Sequence, residues 1–419
     1  MKGFTLLSAV ALMTLAFTSV VFAQKSVISP TLTEEGVRTV TLTGRPIIHR
    51  VDLRGDFQPA QPPDPYVYLQ TMFSRWNDAG VSGLSFLSFA GGRTIGDDVV
   101  LLGGAPDPGQ FGYDTTTPVA CISEIRLILI SIDPNGGSLR LRLGIHRWNG
   151  LLTAAALAPQ SGETFTVTIP DIPPAPPGGL VLIPVTVSVS PRIAVPKAFW
   201  VAMTPLPDSD STINLANIGP LIANSTPGNV SMLPGRGYFR ATSTTTPVFT
   251  NVTGGFLFVE LPQGSFYLAI RGTHNFAGTV DMGALNDRAK PSDPLAFEFD
   301  DDPQGDPDDG IVEALRRNIV DVEVVNDSGP TSFTSRFTTY LDENGRFTLP
   351  VSAEIASITV RRWDNGLKAT FNRPAGGWST DVCNPTVDSQ TMIFGDVNGD
   401  GIIDDADLLT VLFGFGSSE

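Results

Sequence analysis

Leu139, Leu141, Leu143 and Ile145 alternate with Arg140, Arg142 and His146. A period of two over that length belongs to a strand with one apolar face buried and one polar face outward, so His146 is expected to be exposed. Just before it, Ile122–Ile132 is nearly all apolar, and Asp133-Pro134-Asn135-Gly136-Gly137 supplies the turn between them. The same short-strand pattern recurs at Leu84–Phe89, Ile95–Leu102, Thr164–Ile169, Leu180–Val189, Ala198–Met203, Gly255–Leu261 and Ser265–Arg271. Helical periodicity is nearly absent, and 42 glycines and 34 prolines punctuate the runs. The expected fold class is all-β: a large β-sandwich or jelly roll over residues 81–275, with Val37–Leu42 as a candidate extra strand. Residues 24–80 read as a lead-in, broken by the proline-rich stretch Pro59–Pro65. Tyr66–Trp76 fits either a short helix or an extended arm.

A second group of strands follows at Ile319–Val325, Ser332–Leu341, Arg346–Val351 and Ser357–Trp363. It marks a smaller sandwich over residues 279–385. Asp342-Glu343-Asn344-Gly345 reads as its hairpin turn, because Asn-Gly accepts the positive φ that a tight turn demands. Asp300–Asp309 is a dense acidic run in which neither Gly305 nor Gly310 falls at calcium-loop spacing. It reads as a solvated loop rather than an ion site.

The chemistry lies in residues 394–416. Asp396, Asn398 and Asp400 alternate, Gly401 follows, and Asp404 and Asp407 come at intervals of three. Ca²⁺ is a hard cation that takes about six to eight oxygen ligands. A loop of this spacing offers side-chain oxygens from its first, third, fifth and twelfth positions, here Asp396, Asn398, Asp400 and Asp407. The seventh, Ile402, offers a carbonyl, and the ninth, Asp404, a water-mediated contact. Gly401 stands where the chain must turn sharply, which a residue without Cβ does at no steric cost. A short helix, about Ala406–Phe413, should follow and end at Gly414. Leu408 and Leu412 would share one face, Leu409 and Phe413 another. So short a helix is marginal alone, so its apolar side is expected to lie on a preceding domain, a second copy of itself or a partner.

Loop plus exiting helix, with Asp rather than Glu closing the loop and no entering helix before it, resembles a single dockerin repeat, an EF-hand-type calcium module of secreted bacterial proteins. The matching residues are Asp396, Asn398, Asp400, Gly401, Ile403, Asp404, Asp407, Leu408 and Leu412. The resemblance implies Ca²⁺ as cofactor and a cohesin-like or other surface protein as partner. Dockerins carry two such repeats; one is present here. Leu341–Pro350 resembles the middle hairpin of carboxypeptidase-regulatory-like and other Ig-like sandwiches that precede dockerin repeats. Ile95–Val99 and Ile145–Gly150 are similar to a β-sandwich of secreted bacterial proteins, which implies a fold and an extracellular setting but no chemistry.

The net charge of −16 argues against nucleic acid and anionic membranes, which need basic patches. Met1–Ala23, with Lys2, an apolar stretch and small residues at Val21 and Ala23, reads as a secretory signal; no second long apolar run suggests a membrane span in the mature chain. The expected setting is secreted or cell-surface. Cys121 and Cys383 are read as two unpaired core residues; a bridge would staple the two sandwiches together. His49, His146 and His274 have no zinc-type spacing, and neither a nucleophile elbow nor a phosphate loop is present, so no catalytic residue is assigned. The expected function is non-catalytic, with the calcium tail docking to a partner or stabilising the smaller sandwich. The alternative is polysaccharide binding, or a part in a glycoside hydrolase, with Trp148, Trp363 and Trp378 as candidate sugar platforms and Trp200 in the core.

Overall fold

A computed structural model describes residues 37–41, 47–53, 64–69, 83–92, 94–101, 117–147, 162–206, 211–224, 238–241, 252–256, 264–266, 268–281, 319–326, 333–342, 344–362, 367–392 and 404–414. The signal-like segment 1–23, the acidic run 300–309, Trp148 and Trp363 lie outside them. The described chain is all-β apart from one terminal helix and two single 3-10 turns.

In chain order the first strands are β1 (Val37–Thr41), β2 (Ile47–Ile48), β3 (Val51–Leu53), β4 (Tyr66–Leu69), β5 (Gly83–Leu87), β6 (Thr94–Val100), β7 (Pro118–Ser131) and β8 (Gly137–Arg147). There follow β9 (Gly162–Ile172), β10 (Val181–Pro196), β11 (Ala198–Pro205), β12 (Ile218–Asn224), β13 (Tyr238–Ala241), β14 (Val252–Phe256), β15 (Gly264–Phe266) and β16 (Leu268–Thr273). They form two sheets. One has ten strands, running β1-β5-β12-β7-β10-β2, with β16 and then β4 beside β7, β3 beside β10, and β15 beside β12. The other has six, in the order β14-β13-β6-β11-β8-β9. Their inner faces share one core. Ile125, Leu127, Leu129, Ile183 and Val185 come from the larger sheet, and Leu139, Leu141, Leu143, Ile145, Val201 and Met203 from the smaller. Four strands, β1 to β4, therefore come from the stretch read as a lead-in, and Tyr66–Leu69 is extended rather than helical.

The alternation of β8 is realised in its leucines and in the half-buried Arg140 and Arg142. His146 departs from it, being only 1% exposed. Gly144, two residues back on the same face, has no side chain, and the imidazole lies where a Cβ there would collide. Trp200 is buried as expected, but it falls on the opposite phase of β11 from the core residues Phe199 and Val201. β10 extends well past the expected Leu180–Val189, through three prolines. Pro184 falls between the stretches paired to β2 and β3, and Pro191 lies in the register shift between Ser188 and Ile193, where no ladder donor is needed.

The second unit starts two residues after β16. Its strands are β17 (Phe276–Asp281), β18 (Ile319–Asn326), β19 (Phe333–Tyr340), β20 (Arg346–Leu349), β21 (Ile355–Arg362), β22 (Lys368–Asn372) and β23 (Thr386–Thr391). They make a four-stranded sheet, β19-β18-β21-β22, and a three-stranded one, β20-β17-β23, in which β17 and β23 run parallel. The shared core runs from Phe276 to Met392, beyond both ends of the expected 279–385. Phe276 is its hub, edge-on to Phe347, Phe371 and Trp378 at ring separations of 5.9, 5.5 and 5.1 Å. Such T-shaped contacts put a positive ring edge on a negative face. The turn at Asn344-Gly345 is not a hairpin of paired neighbours: β19 and β20 belong to different sheets, so it turns a corner of the sandwich.

Cys121 and Cys383 form a disulfide, with Cα atoms 5.0 Å apart, which corrects the expectation of two unpaired core cysteines. Sequence separation hid it, because β7 and the loop before β23 come together only through the packing of the two sandwiches. Around the bridge, the outer face of β7 and β16 meets the second unit across a buried ionic cluster. Arg271 is fully buried and donates to the Tyr66 hydroxyl at 2.9 Å and the Asp64 carbonyl at 2.9 Å. Its guanidinium reaches Glu124 at 3.4 Å and, in the second unit, Asp342 at 3.3 Å. Arg346 meets the same Asp342 carboxylate at 2.6 Å, and Tyr66 stands edge-on to Tyr340.

Candidate functional site

The terminal helix α1 spans Asp405–Gly414 and begins with a reciprocal cap. The Asp404 side chain accepts the Ala406 N–H at 2.8 Å, satisfying a donor that the first helical turn leaves open. In return the Asp407 carboxylate accepts the Asp404 N–H at 2.9 Å. The return bond is that of a capping box, with Asp in the place usually taken by Glu or Gln, while the forward bond goes to the second helical residue rather than the third. Asp405 and Asp407 also put negative charge at the positive end of the helix dipole. The ninth loop position is thus the residue before the helix, and the twelfth lies inside its first turn.

Asp407 is 3% exposed although its neighbours Ala406 and Leu408 are open to solvent. A buried carboxylate is costly unless hydrogen bonds or a cation hold it. Asp396, Asn398, Asp400 and Ile402 lie outside the described residues, so of the six expected ligands the structure describes Asp404 and Asp407. Their carboxylates are hard oxygen donors of the type Ca²⁺ takes. Among the described residues no group of three or more His, Cys, Asp or Glu gathers as a metal cluster.

The leucines of α1 are open to solvent. Leu408, Leu409 and Leu412 are 58%, 48% and 54% exposed, so of the covers expected for them a preceding domain of this chain is not seen among the described residues, and a second copy or a partner is left. Leu408 and Leu412 do share a face, one turn apart.

Of the candidate sugar platforms, Trp378 belongs to the core. It is 7% exposed, stacks edge-on to Phe276, and donates its indole N–H to the Ile355 carbonyl at 2.7 Å. A cleft of about 1060 Å³ opens between β9 and the shifted part of β10, with Phe165, Val187 and Val189 inside and Thr166, Ser188 and Arg192 among its polar lining. It contains no tryptophan. Arg192 is already engaged, by Asp64 at 2.9 Å. The three histidines stand apart. The His49 ring bonds the Pro170 carbonyl, and His274 is wholly buried at the junction, its Nδ1–H donating to the Val119 carbonyl at 2.8 Å. Burial pushes the His274 pKa down to about 4, so the ring is neutral at physiological pH.

No family model, curated protein or solved structure matches this chain.

Proposed function

We propose that this is an exported, non-catalytic β-sandwich protein whose carboxyl-terminal tail binds Ca²⁺ and then docks to a surface partner. The observation that carries the reading is the reciprocal Asp404–Asp407 cap. It sets a buried carboxylate at the closing position of a loop whose spacing already matches an oxygen cage. Asp396, Asn398, Asp400 and Asp407 would hold the ion through side chains, Ile402 through its carbonyl and Asp404 through water. Bound Ca²⁺ would neutralise the crowded carboxylates, and its binding free energy would become folding free energy of the tail.

Two further observations support the setting and the use. A disulfide suits an oxidising compartment, as the signal-like start of the chain does. The open leucines of α1 favour an external partner over docking on the smaller sandwich, and the dockerin resemblance makes a cohesin-like receptor the first candidate.

Calcium titration of the chelator-treated full chain by calorimetry tests the ion site. One ion per chain is expected, with affinity at least about tenfold weaker in Asp407→Asn. That substitution keeps an oxygen to accept the Asp404 N–H but removes the charge. No uptake, or uptake unchanged in a joint Asp396→Ala, Asp407→Asn chain, overturns the reading. Capture of surface proteins with and without chelator then tests the docking step.

A further inference from the structure

The smaller sandwich enters and leaves the fold at one place. Its first strand follows β16 after only His274 and Asn275. The last residue of β16, Thr273, is the register partner of Cys121 on β7. Cys121 is bonded to Cys383, which stands just past the unit's last core aromatic and just before β23. The Thr273 hydroxyl closes the gap by donating to the Val382 carbonyl at 2.6 Å. Asn275 ties the same corner, donating to the carbonyls of Val351 at 2.7 Å and Ser379 at 2.8 Å. Arg192 of the large sandwich donates to the Cys383 carbonyl at 3.4 Å.

We infer that tension between the carboxyl-terminal tail and the large sandwich passes through the Cys121–Cys383 bond, and that of the smaller sandwich only β23 lies on this path, the strands from β17 to β22 forming a clamp beside it rather than a spacer within it. The connectivity is the reason. Pulling on the tail loads β23, then Cys383, then Cys121 in the middle of the ten-stranded sheet. The peptide bonds of residues 122–382 lie in a closed covalent ring and take no share. The smaller sandwich meanwhile buries the corner where the load crosses, through Asp342 on Arg271 and Tyr340 on Tyr66. A linear string of two domains would instead let the weaker one unravel first. The value of this arrangement to the cell rests on the attachment reading above; the path itself does not.

Single-molecule stretching of the full chain, held at its two ends, tests the inference. The ring spans a sequence separation of 262 residues. At roughly 3.5 Å per extended residue, opening it adds about 900 Å. The oxidised chain should stop short by that length, the smaller sandwich releasing no more than β23 and the residues beyond Cys383. A dithiol reductant should restore the missing length by taking up the bond as its own cyclic disulfide. The joint Cys121→Ser, Cys383→Ser chain should show the full length without reductant. An oxidised chain that reaches the reduced length, or a reduced or serine chain that stays short, overturns the proposal. The measurement runs the same with Ca²⁺ or chelator, so its failure would leave the calcium site untouched, and loss of calcium binding would leave the force path standing.

Discussion

His274 and Arg271, three residues apart at the junction, solve the problem of a buried polar group in opposite ways. Arg271 stays charged and is met by Glu124 and Asp342, with Tyr66 and a carbonyl taking further donors. Such a pair adds little net stability over apolar packing, but removing one partner leaves an uncompensated charge, so it fixes the orientation of the two units more than it strengthens them. His274 is instead held neutral. Its Nδ1–H is satisfied by Val119, and its buried Nε2 has no hydrogen-bond partner among the described residues. Its folded pKa of about 4 lies below the ordinary 6.5. Between those values the unfolded chain binds more protons than the folded one, so stability falls as pH drops from 6.5 towards 4. The full loss is about 3 kcal/mol. Urea unfolding across pH 4 to 8 should show this slope in the native chain. Subtracting the profile of a His274→Gln chain isolates it from the carboxylates, and coincident profiles would refute the assignment.

Among the elements, the turn from β19 to β20 shows how a local signal can be right in chemistry and wrong in topology. Gly345 has φ +71°, and its N–H donates to the Asp342 carbonyl at 2.9 Å. The Asp342 side chain accepts from the Asn344 and Arg346 N–H groups at 2.8 and 2.9 Å, an Asx-type turn. Asp342 then turns its other oxygen to Arg346 and Arg271, so one residue shapes the corner and fastens the sandwiches. A Cβ on Gly345 would strike the Val280 carbonyl as well as strain φ. Gly345→Ala should therefore cost about 2 kcal/mol or more, read from the urea midpoint. Gly376 is the control. A methyl group there would meet nothing within 4 Å, and its φ is not positive, so Gly376→Ala should stay within about 0.5 kcal/mol.

For the molecule as a whole, two cores that could have swivelled about a two-residue link are joined by a covalent bond and a buried ionic cluster. The bond closes a long ring, and a long ring restricts the unfolded chain strongly. Its reduction should lower stability by roughly 2–5 kcal/mol. Thermal denaturation before and after reduction, with alkylation to count free thiols, checks this; an unchanged midpoint with both thiols alkylated would refute it. The same fastening leaves α1, with its open leucines, beyond β23 at the end of a braced body.

The fold class is legible in the sequence because the period-two pattern is local: β8, β18 and β21 each carry their inner and outer faces in their own residues. The place of α1, opening just after Asp404 and ending at Gly414, is legible for the same reason, since start and stop signals act within a turn or two. Strands such as β12, β17 and β23 leave no such mark, because pairing with a neighbour, not composition, makes the strand. Sheet membership, the buried places of His146 and Trp378, and the disulfide were set by tertiary packing. Each depends on residues far apart in the chain meeting at one point, and nothing in the local pattern around Cys121 names a partner 262 residues away.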